Sequence, residues 1–200
     1  MIDTTFKQLS NESRILDGPL LITPRVFGDE RGFFYESWNE LSWKNNLKKY
    51  GQNFEGFVQD NHSKSCQGVL RGLHYQKNPY CQGKLVRCIS GEIFDVAIDI
   101  RKNSATFGLW VGEVLSSQNK NQLWIPEGFA HGFLTISESA EVCYKTTNFW
   151  DKDSEKSIIW NDKNINIKWP LYKLKNKKII LSDKDEKAPC LNEINEIDLF

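Results

Sequence analysis

The chain has 200 residues, of which 26 are basic and 26 acidic, so it carries no formal net charge at pH 7. This balance excludes an overall basic field that would attract nucleic acid or an anionic membrane, and we expect neither as a partner. The length is sufficient for one well-buried core. We predict a single domain over residues 1–200, with its core at about 20–170 and a helical or irregular segment at 171–200.

The five cysteines are odd in number and contain no Cys-x-x-Cys pair. A disulfide framework or a zinc knuckle requires paired spacing, so we expect neither. The N-terminal residues lack the apolar segment of a signal peptide, and the chain has no run of about 18 apolar residues. These features predict a reduced, cytoplasmic protein.

The first quarter of the chain alternates short apolar runs with turn residues. Leu20 to Ile22 and Val26 to Phe27 indicate short strands, and the Gly-Asp-Glu-Arg-Gly run at 28–32 indicates a turn. Residues 37–50 then carry apolar side chains at helical spacing and are followed by Gly51. This pattern predicts a helix that ends at the glycine.

From Phe57 onward the chain consists of short β-rich segments separated by turn residues. The segments are FVQDNHS, KLVRCIS, EIFDVAIDI, LWVGEVLS, QLWIP, GFLTI, EVCYKTT and SIIW. Between 94 and 100, large apolar residues alternate with Asp95, Ala97 and Asp99, the period of two that is typical of a strand with one face in a core. We therefore predict a mainly β fold, a sandwich or barrel with a few short peripheral helices.

The C-terminal segment has a polar, helix-permitting sequence. Ser182 and Asp183 are candidate N-caps of a short helical turn. Further on, Leu191, Ile194 and Ile197 form a stripe that we expect to dock on the barrel or on a second subunit.

The residues that carry chemistry lie in separate motifs. GVLRGLHYQ, at 68–76, places His74 directly after a predicted Arg-Gly-Leu turn, and Lys84 follows in GKLVRC. IPEGFAHGF supplies His131, and YKTT supplies Tyr144. A histidine base, a cation and a phenol indicate proton-transfer chemistry on an anionic substrate.

The order of the two histidine motifs resembles that of cupin-type jelly rolls. A metal-binding cupin has a His-x-His pair, a glutamate and a further histidine, because a divalent cation needs three or four ligands. Here His74 is followed by Tyr75 and Gln76, and the chain has only three histidines. We expect a cupin-like jelly roll without a metal site, in which the histidine is free to act as an acid or base.

Motifs spread over about 20–185 together resemble the dTDP-4-dehydrorhamnose 3,5-epimerase family. They are VFGDERGFFYES, FVQDNHSKS, GVLRGLHYQ, GKLVRC, FDVAIDIRKNSATFG, LWIPEGFAHGF, YKTTNFW and WNDKNINIKWP. The resemblance implies a homodimer whose N-terminal strands cross to the partner, with no metal and no cofactor. It also implies the substrate dTDP-4-dehydro-6-deoxy-D-glucose, inverted at C3 and C5 on the pathway to dTDP-L-rhamnose, a precursor of cell-surface polysaccharides.

The resemblance assigns catalytic roles to particular residues. His74 matches the base, and Tyr144 matches the acid on the opposite face of the sugar. Lys84 matches the cation near the C4 oxygen. Asp185 matches the carboxylate that pairs with the base, and Asp183 is the alternative because extra residues precede LSDKD.

Substrate-binding positions are implied in the same way. Arginines and a lysine match contacts to the phosphates and the nucleotide, and polar residues match contacts to the nucleotide end or to the sugar. Trp150 occupies the place of a tyrosine that stacks on thymine, so base selectivity is open. The remaining positions are Arg31, Glu36, Gln59, Asp60, Asn61, Arg71, His131, Glu155 and Lys184.

Other interpretations stay open at this point. Taken singly, each of these residues is more often structural than functional, and we interpret His62 as structural. Asp95 and Asp99 could be barrel-lining partners for cations. The same motifs also fit an epimerase that acts at C3 or C5 alone, or a non-catalytic sugar-nucleotide binding module. A metal-dependent cupin oxygenase is a more distant alternative.

Overall fold

Two antiparallel β-sheets packed face to face form the core of the computed structural model, which describes residues 4–175 and 177–200. In chain order the strands are β1 (Thr5–Asn11), β2 (Arg14–Thr23), β3 (Phe27–Asp29), β4 (Gly32–Phe34), β5 (Gln59–Cys66), β6 (Leu70–Gln76), β7 (Lys84–Ser90), β8 (Glu92–Asp99), β9 (Trp110–Ser116), β10 (Gln122–Ile125), β11 (Phe129–Thr135), β12 (Ser139–Thr146) and β13 (Glu155–Ser157). One sheet has the order β1-β2-β10-β7-β12-β5, the other β13-β6-β11-β8-β9. Strands β3 and β4 form a separate hairpin. The expectation of a mainly β, jelly-roll fold is confirmed.

Helices are short and lie outside the sheets. The α-helices are α1 (Glu40–Lys49) and α2 (Asp183–Glu186), and the 3₁₀ turns are Leu171–Leu174, Leu191–Glu193 and Glu196–Asp198. The predicted helix at 37–50 is confirmed as α1, which begins later because the Asn39 side chain caps it by accepting a hydrogen bond from the Ser42 amide. Trp43 and Leu47 pack this helix onto the outer face of the six-stranded sheet.

Two of the predicted local elements differ from the observed ones. SIIW, at 157–160, is expected to be a strand, but β13 ends at Ser157 and the following isoleucine is buried under the C-terminal segment. The Arg71-Gly72-Leu73 run lies inside β6 and is not a turn. Gly72 does have a φ of +114°, and a Cβ atom there would lie 2.6 Å from the His131 carbonyl oxygen. The glycine is therefore needed for close approach to β11.

Strand β8 shows the predicted period of two, but both of its faces are buried. Asp95, Ala97 and Asp99 are on the face between the two sheets and have no exposed surface. The apolar face with Val96 and Ile98 packs instead under the C-terminal segment. The expectation of one buried face is wrong because that segment covers the outer surface of the sheet.

The C-terminal segment is fastened to the five-stranded sheet. Ile180 exchanges backbone hydrogen bonds with Gly68 and Leu70, next to the start of β6. Ser182 caps α2 through the Asp185 amide, as its sequence predicts. Leu191 is buried against the sheet, whereas Ile197 is 78% exposed, so only part of the predicted stripe docks.

The five cysteines are all free thiols. Among the described residues, no helix combines the length and the apolarity that crossing a bilayer requires. The same part of the chain has no group of three or more histidine, cysteine, aspartate or glutamate side chains placed to hold a metal ion.

Candidate active site

A cavity of about 450 Å³ opens between the two sheets, near the start of β7. A smaller cavity of about 120 Å³ adjoins it, and His74, Lys84 and Tyr144 line both. We refer to the two cavities together as the cleft. The catalytic residues inferred from the sequence therefore meet in one place, although they are far apart in the chain.

The two sheets contribute different chemistry to the cleft. His74 of β6 and His131 of β11 are directly opposite each other in the antiparallel register of the five-stranded sheet. Lys84 begins β7, and Tyr144 lies on the neighbouring β12 in the six-stranded sheet. Bases thus line one wall, and a cation and a phenol line the other.

His74 forms a close pair with a buried carboxylate. Its Nε2 lies 2.5 Å from Oδ1 of Asp185, whose side chain is 5% exposed. Burial acts to raise the pKa of Asp185, but the hydrogen bonds from His74 and Ser182 outweigh it and hold that pKa below its ordinary value. Asp183, the alternative partner, is the first residue of α2, and its side chain is exposed to solvent. A carboxylate in this position orients the imidazole and stabilises its protonated form.

Contacts made just before α2 and within it hold Asp185 in place. The Ser182 cap and the Ile180 backbone pairing fix the segment that leads into the helix. Next to Asp185, the Lys184 ammonium pairs with Glu155 of β13 at 2.5 Å. Because β13 pairs with β6, this ion pair ties the carboxylate to the strand that carries the histidine.

Lys84 is buried at the base of the cleft. Burial lowers its pKa to about 8, against the opposing charges of Glu155 and Asp95. Its one hydrogen bond within the described residues is a long one, 3.4 Å from Nζ to the His74 carbonyl oxygen. The ammonium group is therefore available to an anionic oxygen in the cleft.

Tyr144 is half-buried beside Arg71. Burial raises the pKa of the Tyr144 phenol, and the Arg71 charge only partly opposes this. The phenol is consequently protonated at neutral pH and able to donate. Arg71 itself is held by a hydrogen bond of 3.0 Å from its Nε to the Ser65 hydroxyl, which aims it along the cavity wall.

His131 pairs with an aspartate that the sequence left unassigned. Its Nε2 lies 2.7 Å from Oδ1 of Asp95, and neither side chain is more than 8% exposed. Burial lowers the pKa of His131 in spite of this carboxylate. The site therefore contains two histidine–aspartate pairs, whose histidines lie on adjacent strands.

Polar and aromatic residues surround the smaller cavity. The Gln59 and Asn61 side chains on β5 are hydrogen-bonded to each other at 2.8 Å, and both line it. Trp150 lies over the rim, 54% exposed, and its backbone amide donates to the Gln59 side chain. Glu155 completes the wall. An exposed indole face beside amide groups is suited to stacking a nucleobase.

Three of the inferred binding residues lie away from the cleft. Asp60 is on the other face of β5, paired with Lys145 at 2.8 Å, because side chains alternate along a strand. Arg31, whose side chain is 85% exposed, is at the tip of the β3–β4 hairpin and pairs with Asp29. Glu36 accepts a hydrogen bond from Asn39 at the start of α1.

Comparison with known proteins agrees with this arrangement. The family model described as dTDP-4-dehydrorhamnose 3,5-epimerase matches residues 13–193. The chain belongs to this family. It is 60% identical over 166 residues to the dTDP-4-dehydrorhamnose 3,5-epimerase of Shigella flexneri, an alignment that covers 83% of this chain and 87% of the relative.

Solved structures of the epimerase family share the fold. A 3,5-epimerase from Legionella pneumophila in complex with dTDP-4-keto-L-rhamnose is similar with a TM-score of 0.87 and 45% identity, over 98% of this chain and 97% of the other. A 3′-monoepimerase from Streptomyces bikiniensis in complex with dTDP-quinovose is 29% identical, with a TM-score of 0.79, over 88% of this chain and 84% of the other. The family resemblance inferred from the motifs is confirmed.

Sequence reasoning missed the serines on the inner face of β5. Ser63 lines the larger cavity, and Ser65 holds Arg71. Both follow Gln59 and Asn61 at the two-residue period of a strand, so that spacing could have found them in this epimerase-family chain.

The buried charge of Lys84 predicts a gain in stability when it is removed. Its pKa falls from 10.5 to about 8 in the fold, so the charged form opposes folding fully below about pH 8, and this cost disappears as the pH rises to about 10.5. Because this lowered pKa already includes the attraction of Lys84 to Glu155 and Asp95, the buried charge is a net cost, and we expect Lys84→Met to raise the free energy of unfolding at pH 7 by roughly 1–3 kcal/mol. The gain should shrink between pH 8 and 10.5 in a series of thermal or denaturant unfolding curves.

The exposed Lys187 is the matched control, since Lys187→Met removes a lysine that is in water in both states. A Lys84→Met protein that is less stable than the wild type at pH 7 would contradict the cost ascribed to burial.

Proposed function

We propose that this chain inverts C3 and C5 of dTDP-4-dehydro-6-deoxy-D-glucose to give dTDP-4-dehydro-L-rhamnose, in the pathway to dTDP-L-rhamnose. One observation carries the proposal. His74 on one sheet, its partner Asp185 on α2, and Lys84 with Tyr144 on the other sheet all line the same cavity. Inversion at a carbon next to a ketone requires a base on one side, an acid on the other and a cation for the intermediate.

The first step is removal of a proton from carbon. The C4 ketone acidifies the hydrogens on C3 and C5. His74 takes one of them as a proton, releases it to solvent, and as a neutral imidazole then takes the other. Asp185 stabilises the imidazolium that forms and keeps the ring oriented. Because the carboxylate is held by the Ser182 cap and by the packing of α2 on β6, the pair is preorganised for this transfer.

The second step returns a proton to the opposite face of the sugar. Lys84 neutralises the negative charge that develops on the C4 oxygen, and for this its amine must be protonated. Tyr144 donates the proton from the facing wall, and solvent replaces it. Since the pKa of Lys84 is about 8, activity should decline above that pH.

The nucleotide is held by residues around both cavities. Arg71 and Lys184 supply positive charge for the diphosphate, for which the guanidinium group offers paired donors. Gln59 and Asn61 contact the nucleotide end, and Trp150 stacks on the base. His131 and Glu155 contact the sugar.

The decisive test follows the C3 and C5 proton signals of dTDP-4-dehydro-6-deoxyglucose by NMR in deuterium oxide. We expect the wild type to exchange both, and His74→Ala to slow both by about 10²- to 10⁴-fold, because the base is lost. Affinity for dTDP, measured by calorimetry, should stay close to that of the wild type, since His74 contacts the sugar.

His62→Ala is the matched control, because this exposed histidine pairs with Glu141 outside the cleft. Exchange at neither carbon by the wild type would overturn the proposal and favour a non-catalytic binding module. Exchange at one carbon alone would assign the chain to single-position epimerisation.

Tyr144→Phe separates proton removal from proton return. The variant keeps His74 and Lys84, so deuterium exchange at the sugar should continue at a rate within about tenfold of the wild type, while inverted product falls by about 10²-fold or more. Coupled reduction to dTDP-rhamnose measures the product. Tyr172→Phe, at an 81% exposed tyrosine, is the control. Equal loss of exchange and product would indicate that Tyr144 acts only in packing.

The β3–β4 hairpin supports a dimeric form of the enzyme. Phe27, Phe33 and Phe34 are between 49% and 69% exposed there, and monomers rarely leave such an aromatic patch in water. In the proposed homodimer each hairpin crosses to the partner, where Arg31 and Glu36 reach the other subunit's cleft. This places an arginine that is remote from its own cleft beside a diphosphate.

Mixed dimers test the crossing. We expect Arg31→Ala and His74→Ala homodimers to be nearly inactive, whereas co-expression of the two chains yields mixed dimers with one intact site. Random pairing should restore about a quarter of the wild-type activity. If no activity is restored although sedimentation shows dimers, Arg31 acts in the cleft of its own subunit or in neither cleft.

A further inference from the structure

The charged groups at the base of the cleft differ in how well their atoms are supplied with hydrogen-bond partners. Asp95 has no exposed surface, and its Oδ1 is bonded to His131. Its Oδ2 is equally buried and has no hydrogen-bond partner within the described residues. An unpaired carboxylate oxygen in the interior is costly unless a positive charge is close to it.

Lys84 is the cation that fits this requirement. It lines the same cavity as His131, and its charge interacts with Asp95 and with His131. Its ammonium group has few hydrogen bonds of its own, with a long contact to the His74 carbonyl oxygen. Asp95 therefore acts on both buried groups, through a hydrogen bond to one and through its charge on the other.

We propose that Asp95 is a positioning residue of this site: its carboxylate fixes the proton of a neutral His131 on Nε2, and its negative charge keeps the Lys84 ammonium protonated. Bound in this way, His131 presents Nδ1 as a hydrogen-bond acceptor for a sugar hydroxyl and adds no second positive charge. The consequence for turnover rests on the proposed epimerase function, whereas the protonation states do not.

Other ionisable groups also face Lys84, and their charges contribute to the pH at which it loses its proton. They are Glu155 of β13, Lys184 of α2, His74 and Arg71 of β6, His131 of β11, Tyr144 of β12 and Asp185 of α2. Glu155 is already paired with Lys184. Of the two carboxylates whose charges act on Lys84 most directly, Glu155 and Asp95, only Asp95 is thus not already balanced by an ion pair with a lysine or arginine of the described residues.

Asp95→Asn removes the charge and keeps the shape. The amide oxygen still accepts from His131, so folding and ring orientation are retained, but Lys84 loses its proton at lower pH. We expect the alkaline limb of the kcat profile to move down by about one pH unit. The loss of kcat relative to wild type should then be about fivefold greater at pH 8 than at pH 6.

Asp99→Asn is the matched control, since Asp99 is buried four residues farther along, on the same face of β8, but pairs with Arg101. Asp99→Asn should lower the free energy of unfolding and leave the alkaline limb of the kcat profile at its wild-type pH. Asp95→Glu keeps the charge and should also leave the limb in place, and it serves as the test if Asp95→Asn does not fold. A uniform loss at all pH values in Asp95→Asn, or an Asp95→Glu limb that moves down by about one unit, would overturn the proposal.

The tautomer of His131 is tested on the wild type without substrate. Nitrogen-15 NMR of the histidine rings, with His62→Gln and His74→Gln spectra for assignment, should show a neutral His131 with its proton on Nε2 at pH 7 and above. An imidazolium at pH 7, or a proton on Nδ1, would overturn the proposal. A protein that shows the expected tautomer but exchanges no substrate protons would refute the epimerase function instead.

Discussion

The interior of this jelly roll has to accommodate charge, and much of the structure follows from that constraint. Lys84, His131 and Asp95 lie between the two sheets, where most side chains are apolar. Each is tolerable there only because opposite charges and hydrogen bonds lie within reach. A sandwich core without such groups would be easier to stabilise, but it would have no means of moving a proton.

The C-terminal segment completes the site from outside the sheets. It packs on the outer face of the five-stranded sheet with Leu174 and Leu191, and its helix α2 places Asp185 against His74. A four-residue helix has little stability of its own, so its position depends on the Ser182 cap and on the ion pair between Lys184 and Glu155. Catalysis is therefore linked to how well this segment stays docked.

The two walls of the cleft also differ in the way they are built. Close pairing of β6 and β11 at Gly72 brings the two histidines opposite each other, each with its own aspartate. The facing wall draws Lys84 and Tyr144 from neighbouring strands of the other sheet. Since the sheets are connected by several loops, no short stretch of chain contains the whole constellation.

The sequence predicts the β-rich fold class, helix α1, the cap of α2 and the family, because period-two patterns, capping residues and motif order are local properties of the chain. It also supplied His74, Lys84, Tyr144 and Asp185. The folded structure was needed to distinguish Asp185 from Asp183 and to pair Asp95 with His131, since the partners are far apart in sequence. It likewise decided that both faces of β8 are buried, because the layer that covers the second face comes from the last part of the chain.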